Sequence, residues 1–567
     1  MLIYPFRMIY LYMENDDLVD SLELLVKLWD VHGVNEFKAK NLSFSIRGLD
    51  KFPGRISQLT PDQLLLIPGV GKVIVQLIYE LAQTGTSKEL EEIVEKTPPG
   101  LLDLLKIKGL GAKKVRTIWQ ELNVSTFEDL NTACQNGQVE KLKGFGSAIQ
   151  SSIQSQIVFI QENRKKLRLD KAIFLSDRIE SMLNLSFDKI AISGELRRNC
   201  EIINSLVFVV ETDDIFGSPI QISELDGFLE DLQASSPFTW RGFFEDYLIP
   251  IEIHLVDTSE FISAVFQHSA HENHLESIDF YQQFQGKTIL TEESIYQERN
   301  KPFIVPEMRE GLQEFEWAGQ HKNQELIEDQ DLQGCLHNHS VYSDGKNTVQ
   351  EMAEACRSLG LHYFGIADHS QYAAYAGGLK EEDVLRQHEE IDRLNLLWSD
   401  FTILKGIEAD ILPDGSLDYN AHILSQFDYV VASVHAQLTM DLDRAMDRLI
   451  RAIENPYTSI LGHPTGRLLL SRPGYPLNTH KILDACLANG VSIELNASPY
   501  RLDLDWRHIY AAMDKGVFVS INPDAHKMEG LKDMKYGVKV GRKGGLLKAL
   551  TLNALPLNEL KAFFKKT

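Results

Sequence analysis

The sequence predicts a multidomain chain: a helical N-terminal region of repeated hairpins, an α+β middle, and a C-terminal distorted β/α barrel. Three observations carry the prediction. At 567 residues the chain is too long for one core. A helix, G-x-G, helix pattern recurs three times before residue 165. From residue 330 onward, β-branched or aromatic runs that end on polar residues alternate with helical segments, the spacing of βα units around a parallel barrel. The expected boundaries are 13–90 and 91–165 for two hairpin-bearing segments, 166–320 for the middle, and 321–567 for the barrel.

The glycines organise the first third. "LLLIPGVGKVIVQLIYEL", "LLKIKGLGAKKVRTIWQEL" and "VEKLKGFGSAIQSSI" each set a G-x-G turn between apolar helices. Gly69 and Gly71, Gly109 and Gly111, and Gly144 and Gly146 permit positive φ and close approach, leaving backbone N–H groups at a helix start free to meet a phosphate. These segments resemble helix-hairpin-helix motifs, which implies a grip on DNA backbone without reading of sequence. Lys72, Lys113 and Lys114, just after the turns, are the expected phosphate contacts. The second copy is the most basic, with Lys106, Lys108, Lys113, Lys114 and Arg116 against Asp103. A helix turn with a solvated basic face is the alternative for any lone copy, and tandem repetition weighs against it.

Net charge is −24, which by itself disfavours a nucleic-acid partner. Its distribution matters more: residues 13–165 carry 18 Lys and Arg against 20 Asp and Glu, whereas residues 166–329 carry 13 against 31. The middle is therefore the part least suited to DNA. Five cysteines without CxxC spacing indicate neither a disulfide framework nor a thiolate zinc site and predict a reducing, cytoplasmic setting. The apolar opening "MLIYPFRMIYLY" is too short for a membrane span, so no membrane partner is expected. Met13, ahead of capping acids and helical spacing, is an alternative start to Met1.

In the middle, "ISGELRRNCEIINSLVFVVE" supplies a glycine turn, an arginine pair and an apolar strand expected over Ile202 to Val210. With the hairpins before it, residues 13 to about 320 resemble a bacterial family X DNA polymerase. That resemblance implies a nucleotidyltransferase-like palm and thumb, with two aspartates at i and i+2 on the strand to hold Mg²⁺. Gly194, Arg197 and Arg198 match the family's pattern. Glu195 stands at its serine position, and Ser205 and Val207 stand at its two aspartate positions. Glu252 matches the third acid, and one carboxylate cannot clamp two cations. The thumb signature reads "FQHSAH", and the helix "VIVQLIYELAQ" has no lysine for a Schiff base. The palm is thus expected to be a relic whose strand serves the core.

The chemistry is expected in the last third. "YFGIADHS", "FTILKGIEAD", "YVVASVHA", "TSILGHPTG", "VSIELNAS" and "VFVSINPDAH" read as strands that end on His369, Glu408, His435, His463, Asp524 and His526. "CLHNHSVYSDG" adds His337 and His339 on one strand face, with Asp344 on the following loop. Six histidines and three carboxylates at one barrel rim would be costly unpaired, and imidazole with carboxylate suits Zn²⁺, Mn²⁺ or Fe. Residues 330–567 resemble the PHP (polymerase and histidinol phosphatase) family of phosphoesterases in H-x-H, S-D-G, D-H-S, S-V-H, G-H-P and D-A-H. The resemblance implies a three-metal site with these nine residues as ligands, and Asp344, His369 and His435 are also placed in catalysis. An acidified water would attack phosphorus while the cations neutralise the phosphoryl oxygens.

Arg467 is open to two readings, a fork on a substrate phosphate or a surface ion pair. The basic run Lys527, Lys532, Lys535, Lys539, Arg542, Lys543 and Lys548 either steers a polyanion or is a solvated tail. The expectation is a monomeric DNA phosphoesterase, a 3′–5′ exonuclease or repair nuclease. A histidinol-phosphatase-like enzyme, a non-catalytic DNA scaffold and a residual polymerase are the alternatives.

Overall fold

The computed structural model describes residues 15–565 apart from Lys51, Pro53, Lys108, Gln285 and Gly286. Met13, and Lys108 of the second hairpin, lie outside the described residues. The chain divides into two compact units, one ending at Arg164 and one running from Lys165 onward.

The first unit is helical. Helices Lys72–Thr84, Ala112–Leu122 and Ser147–Asn163 begin after Gly71, Gly111 and Gly146. The preceding glycine of each pair holds a positive φ: 84° at Gly69, 83° at Gly109 and 85° at Gly144. Five of the six positions have open space where a Cβ would project, and a Cβ at Gly69 would strike Phe44. A buried apolar stripe from each helix, such as Val75 and Ile78, or Val115 and Ile118, anchors the turn.

Among the described residues the second unit holds fourteen strands. In its first part these are β1 (Leu167–Arg168), β2 (Ile190–Ile192), β3 (Ile202–Ile203), β4 (Leu206–Glu211), β5 (Phe228–Glu230), β6 (Thr239–Phe244) and β7 (Ile251–Val256). A five-stranded sheet runs β2-β4-β7-β6-β5, with β4 and β7 parallel and Val207 opposite Glu252. The single strand expected over Ile202 to Val210 is instead two. It breaks at Asn204 and Ser205, so β3 pairs with β1 while β4 enters the large sheet. Phe208, Val209 and Val210 are fully buried, so β4 is a core strand.

The second part contains β8 (Gly334–Cys335), β9 (Tyr363–Ile366), β10 (Thr402–Asp410), β11 (Tyr429–Ser433), β12 (Ile460–Leu461), β13 (Ser492–Asn496) and β14 (Val519–Asn522). All neighbours are parallel in chain order, with helices such as Val349–Ser358, Glu381–Leu397 and Leu442–Ile453 between them. Beyond the ends of β8 and β14 a bridge joins Asn338 to Ala525, and the His339 N–H donates to the Ala525 carbonyl at 2.8 Å. That bridge nearly closes the barrel and faces the C-terminal strand ends toward one mouth.

One apolar core runs through both parts of this unit. Polar contacts reinforce it: the Trp506 indole N–H and Arg507 donate to Glu201 at 2.9 and 2.7 Å. Arg542 pairs with Glu307 at 2.7 Å, and Lys543, fully buried, binds Glu310. Two members of the supposed basic tail are therefore structural counter-ions, because their helix Met534–Lys543 packs into the acidic first part.

Candidate metal centre

The strand ends deliver the side chains as the barrel dictates. Three groups form in which the potential ligand atoms lie within 4.8 Å of one another: His339, Asp344, His369 and His526; His337, His339 and Asp524; and His369, Glu408 and His435. His463 stands outside these groups, with its Nε2 3.0 Å from Glu408 Oε1. His337 and His339 are fully buried, and Glu408 and His463 nearly so.

The donor set fits divalent cations. His337 Nε2, His339 Nδ1, His369 Nδ1 and Glu408 Oε2 are buried without a hydrogen-bond partner among the described residues. Two of those nitrogens approach Glu408 closely, His337 Nε2 at 3.2 Å and His369 Nδ1 at 2.9 Å. They nevertheless lack hydrogen-bond alignment with it, and both residues belong to the ligand groups above. An orphaned buried polar atom costs about 1–3 kcal/mol, and a cation shared among them removes that cost.

Electrostatics point the same way. Burial would lower the imidazole of His337, yet the charges of Glu494, Glu408 and Asp524 hold it well above its ordinary value. Burial would raise the carboxyl of Glu408, yet His435, His337 and His369 hold it well below. His337 takes a proton where a cation would sit, so cation binding releases a proton.

Surrounding residues fix the arrangement. Glu494, fully buried on β13, accepts from His337 Nδ1 at 2.7 Å and from the His463 N–H at 2.6 Å. Asp410 contacts His435 Nδ1 at 3.1 Å. Asp368 accepts from the Ser340 N–H at 2.7 Å and from Gln387 at 2.6 Å, which fastens the loop carrying Asp344 to the end of β9. Sequence reasoning missed all three. Each is an acid on or next to a strand already assigned a ligand or a core role, and inward pointing on the strand was the one available signal.

Arg467 is committed away from the mouth. Its guanidinium donates to the Arg501 carbonyl at 2.9 Å, to the Leu502 carbonyl, and to Asp505 at 2.6 Å. It therefore braces the loop after β13 and has no fork left for a phosphate. The arginine that reaches the metal group is Arg501, with Nε 3.5 Å from Asp524 Oδ2.

The residues expected to form a palm have other partners. Glu195 turns onto Asn204, accepting from its side-chain amide at 2.7 Å. Arg197 donates to Glu292 at 2.7 Å, Arg198 to Glu310 at 2.7 Å, and Glu252 pairs with Arg241 at 3.2 Å. A Cβ at Gly194, where φ is 63°, would lie 2.9 Å from Val207, so this turn packs closely on Val207. In the hairpins Lys72 is exposed, Lys113 pairs with Glu36 at 3.0 Å, and Lys114 lies 5.8 Å from the Phe145 ring centroid. The Lys113 pair is solvent-exposed and weak enough for a phosphate to displace Glu36.

Comparison with known proteins agrees with this architecture. A PHP domain matches residues 336–497 and a helix-hairpin-helix domain matches residues 13–87. The DNA polymerase/3'-5' exonuclease PolX of Bacillus subtilis (strain 168) is 33% identical over 572 residues, covering 98% of this chain and all of the relative. The chain belongs to the PolX family. Probable phosphatases of Thermoanaerobacter sp. (strain X514), 29% identical, and of Caldanaerobacter subterraneus, 31% identical, cover 41% and 34% of the chain. They span 93% and 74% of their own lengths. Asp524 and His526 fall beyond the matched PHP stretch, and the barrel closure returns them to the group. A PHP domain implies divalent metals, and the clusters described above could hold them. Among the described residues no helix is long and apolar enough to cross a membrane.

Proposed function

We propose that this PolX protein is a DNA phosphodiesterase that removes nucleotides from a 3′ end, and that its palm no longer polymerises. The observation that carries the reading is the set of buried, unpartnered donor atoms converging at the barrel mouth. In this reading residues 321–567 form the phosphoesterase, residues 166–320 a relic palm and thumb, and the hairpins of residues 13–90 and 91–165 hold DNA by its backbone. His337, His339, Asp344, His369, Glu408, His435, His463, Asp524 and His526 would hold three cations, of Zn²⁺, Mn²⁺ or Fe. Cations there supply an acidified water as nucleophile and offset charge on the phosphoryl oxygens.

The chain's own residues do the rest. Glu494 keeps His337 in the tautomer that presents Nε2 inward, and Asp410 does the same for His435. Arg501, whose carbonyl accepts from Arg467 and whose Nε lies beside Asp524, would offer its guanidinium to a phosphoryl oxygen. The loss of polymerase activity rests on Ser205 and Val207, on Arg197 and Arg198 paired with Glu292 and Glu310, and on the acidic charge of the region. We place the protein in the cytoplasm as a monomer. A small-molecule phosphatase is the second reading, favoured by the probable phosphatases, although they match the barrel alone. Both are tested with Mn²⁺ or Zn²⁺ on a labelled oligonucleotide and on histidinol phosphate. Release of phosphate from histidinol phosphate without shortening of DNA would select the second.

A further inference from the structure

Two tyrosines on separate loops leave their rings open at the barrel mouth. Tyr375 lies in the short turn Ala374–Ala376, after His369, and is 74% exposed. Its ring centroid is 6.3 Å from that of His369, with the planes at 55°. Tyr500 lies on the loop after β13 and is 56% exposed. It precedes Arg501, whose Nε is 3.5 Å from Asp524 Oδ2.

Neither hydroxyl has a hydrogen-bond partner among the described residues. The Tyr500 ring is also pre-set. The Arg168 guanidinium stacks 3.8 Å from its centroid and is itself tied to Asp170 at 3.2 Å. Two aromatic faces left exposed on loops beside one metal group offer a planar ligand a surface to stack on. At a mouth that holds a phosphodiester, the planar group next to the phosphate is a nucleobase. Its face is free only when it is unpaired and unstacked.

We propose that Tyr375 and Tyr500 are substrate-binding residues that stack on unpaired bases next to the scissile phosphodiester. The proposal rests on the phosphodiesterase reading above. Stacking of this kind acts on binding, so it moves KM and leaves kcat nearly unchanged.

The test uses the full-length protein with Mn²⁺ and two 5′-labelled single-stranded oligonucleotides, one normal and one with abasic residues at its last two 3′ positions. Stacking predicts that Tyr375→Ala and Tyr500→Ala each raise KM for the normal strand by about 5- to 150-fold. The abasic strand should already show a comparable loss with the native protein and little further loss with either variant. Tyr375→Phe and Tyr500→Phe should match the native protein, because the ring face is retained. Equal losses on both strands, Phe variants as poor as the Ala variants, or a native protein indifferent to the abasic positions would overturn the stacking role alone. Absence of Mn²⁺-dependent shortening of either strand by the native protein would end the phosphodiesterase reading, and the stacking role with it.

Discussion

Glu494→Gln isolates the contribution of the carboxylate behind the metal group. Four donors converge on the two oxygens of Glu494. His337 Nδ1 at 2.7 Å and Asn522 Nδ2 at 3.0 Å meet Oε1, while the His463 N–H at 2.6 Å and Asn496 Nδ2 at 3.3 Å meet Oε2. Glutamine has one accepting oxygen, so whichever way its amide turns, an NH₂ faces two donors. Each buried donor left unmatched costs about 1–3 kcal/mol. The imidazole of His337 also loses the charge that fixes its tautomer and raises its basicity. Removing such a partner weakens metal affinity by about 10–100-fold, which is about 1.4–2.7 kcal/mol less stabilisation by bound metal. The assay is paired: the Mn²⁺ concentration that half-activates hydrolysis, and melting of metal-stripped and metal-loaded protein. The expected result is a raised half-activating concentration together with a smaller gain in Tm on loading. An unchanged half-activating concentration would refute the reasoning that Glu494 orients a ligand.

The other expectations concern the parts around the centre. Glu310→Gln leaves the fully buried Lys543 without its counter-ion and should destabilise the protein by about 3–5 kcal/mol at pH 7 in denaturant melts. Burial alone would raise the Glu310 carboxyl, but Lys543 and Arg198 hold it down to about 2. Its stabilisation is therefore fully present above the ordinary carboxylate value and fades as pH falls toward 2, and a penalty independent of pH would contradict this. Lys113→Ala with Lys114→Ala should weaken DNA binding alike at all sequences and flatten the log-log salt dependence by up to about 1.8, with hydrolysis of a small chromogenic phosphodiester unchanged. No template-directed nucleotide addition is expected with Mg²⁺ or Mn²⁺ once hydrolysis is silenced by His339→Ala, and primer extension by that variant would show that other carboxylates serve the palm.

The barrel was legible because its signals are local. Each of the six β-rich runs begins on residues suited to a buried parallel strand and ends on the polar residue that reaches the mouth, and β9 to β14 follow these runs. The i and i+2 spacing of His337 and His339 suggested one strand face; the strand instead ends at Cys335, and both histidines reach the metal group from the segment after it. Less legible was anything that depends on partners distant in sequence. Lys543 reads as part of a basic tail until its helix packs against Glu310, 233 residues away. Arg467 reads as a candidate phosphate fork until Asp505 and two carbonyls occupy it, and Arg501 had no motif to mark it. The Ile202 to Val210 run is uniformly strand-like, so the break at Asn204 and Ser205 emerges only from its pairing with two different sheets. Hairpin positions were plain because a G-x-G turn needs positive φ at its first glycine, as Gly69, Gly109 and Gly144 adopt.

The central claim is that the residues gathered at the barrel mouth hydrolyse phosphodiesters only when they hold divalent cations. Its most direct test is a metal-stripped, metal-analysed preparation of the native protein, His339→Ala and Asp524→Ala, each given Mn²⁺ or Zn²⁺ with oligonucleotides labelled at the 3′ or the 5′ end. The account predicts that shortening from the 3′ end appears with metal in the native protein and is lost in both variants. Undiminished hydrolysis by either variant, or hydrolysis by the stripped native protein, would contradict it.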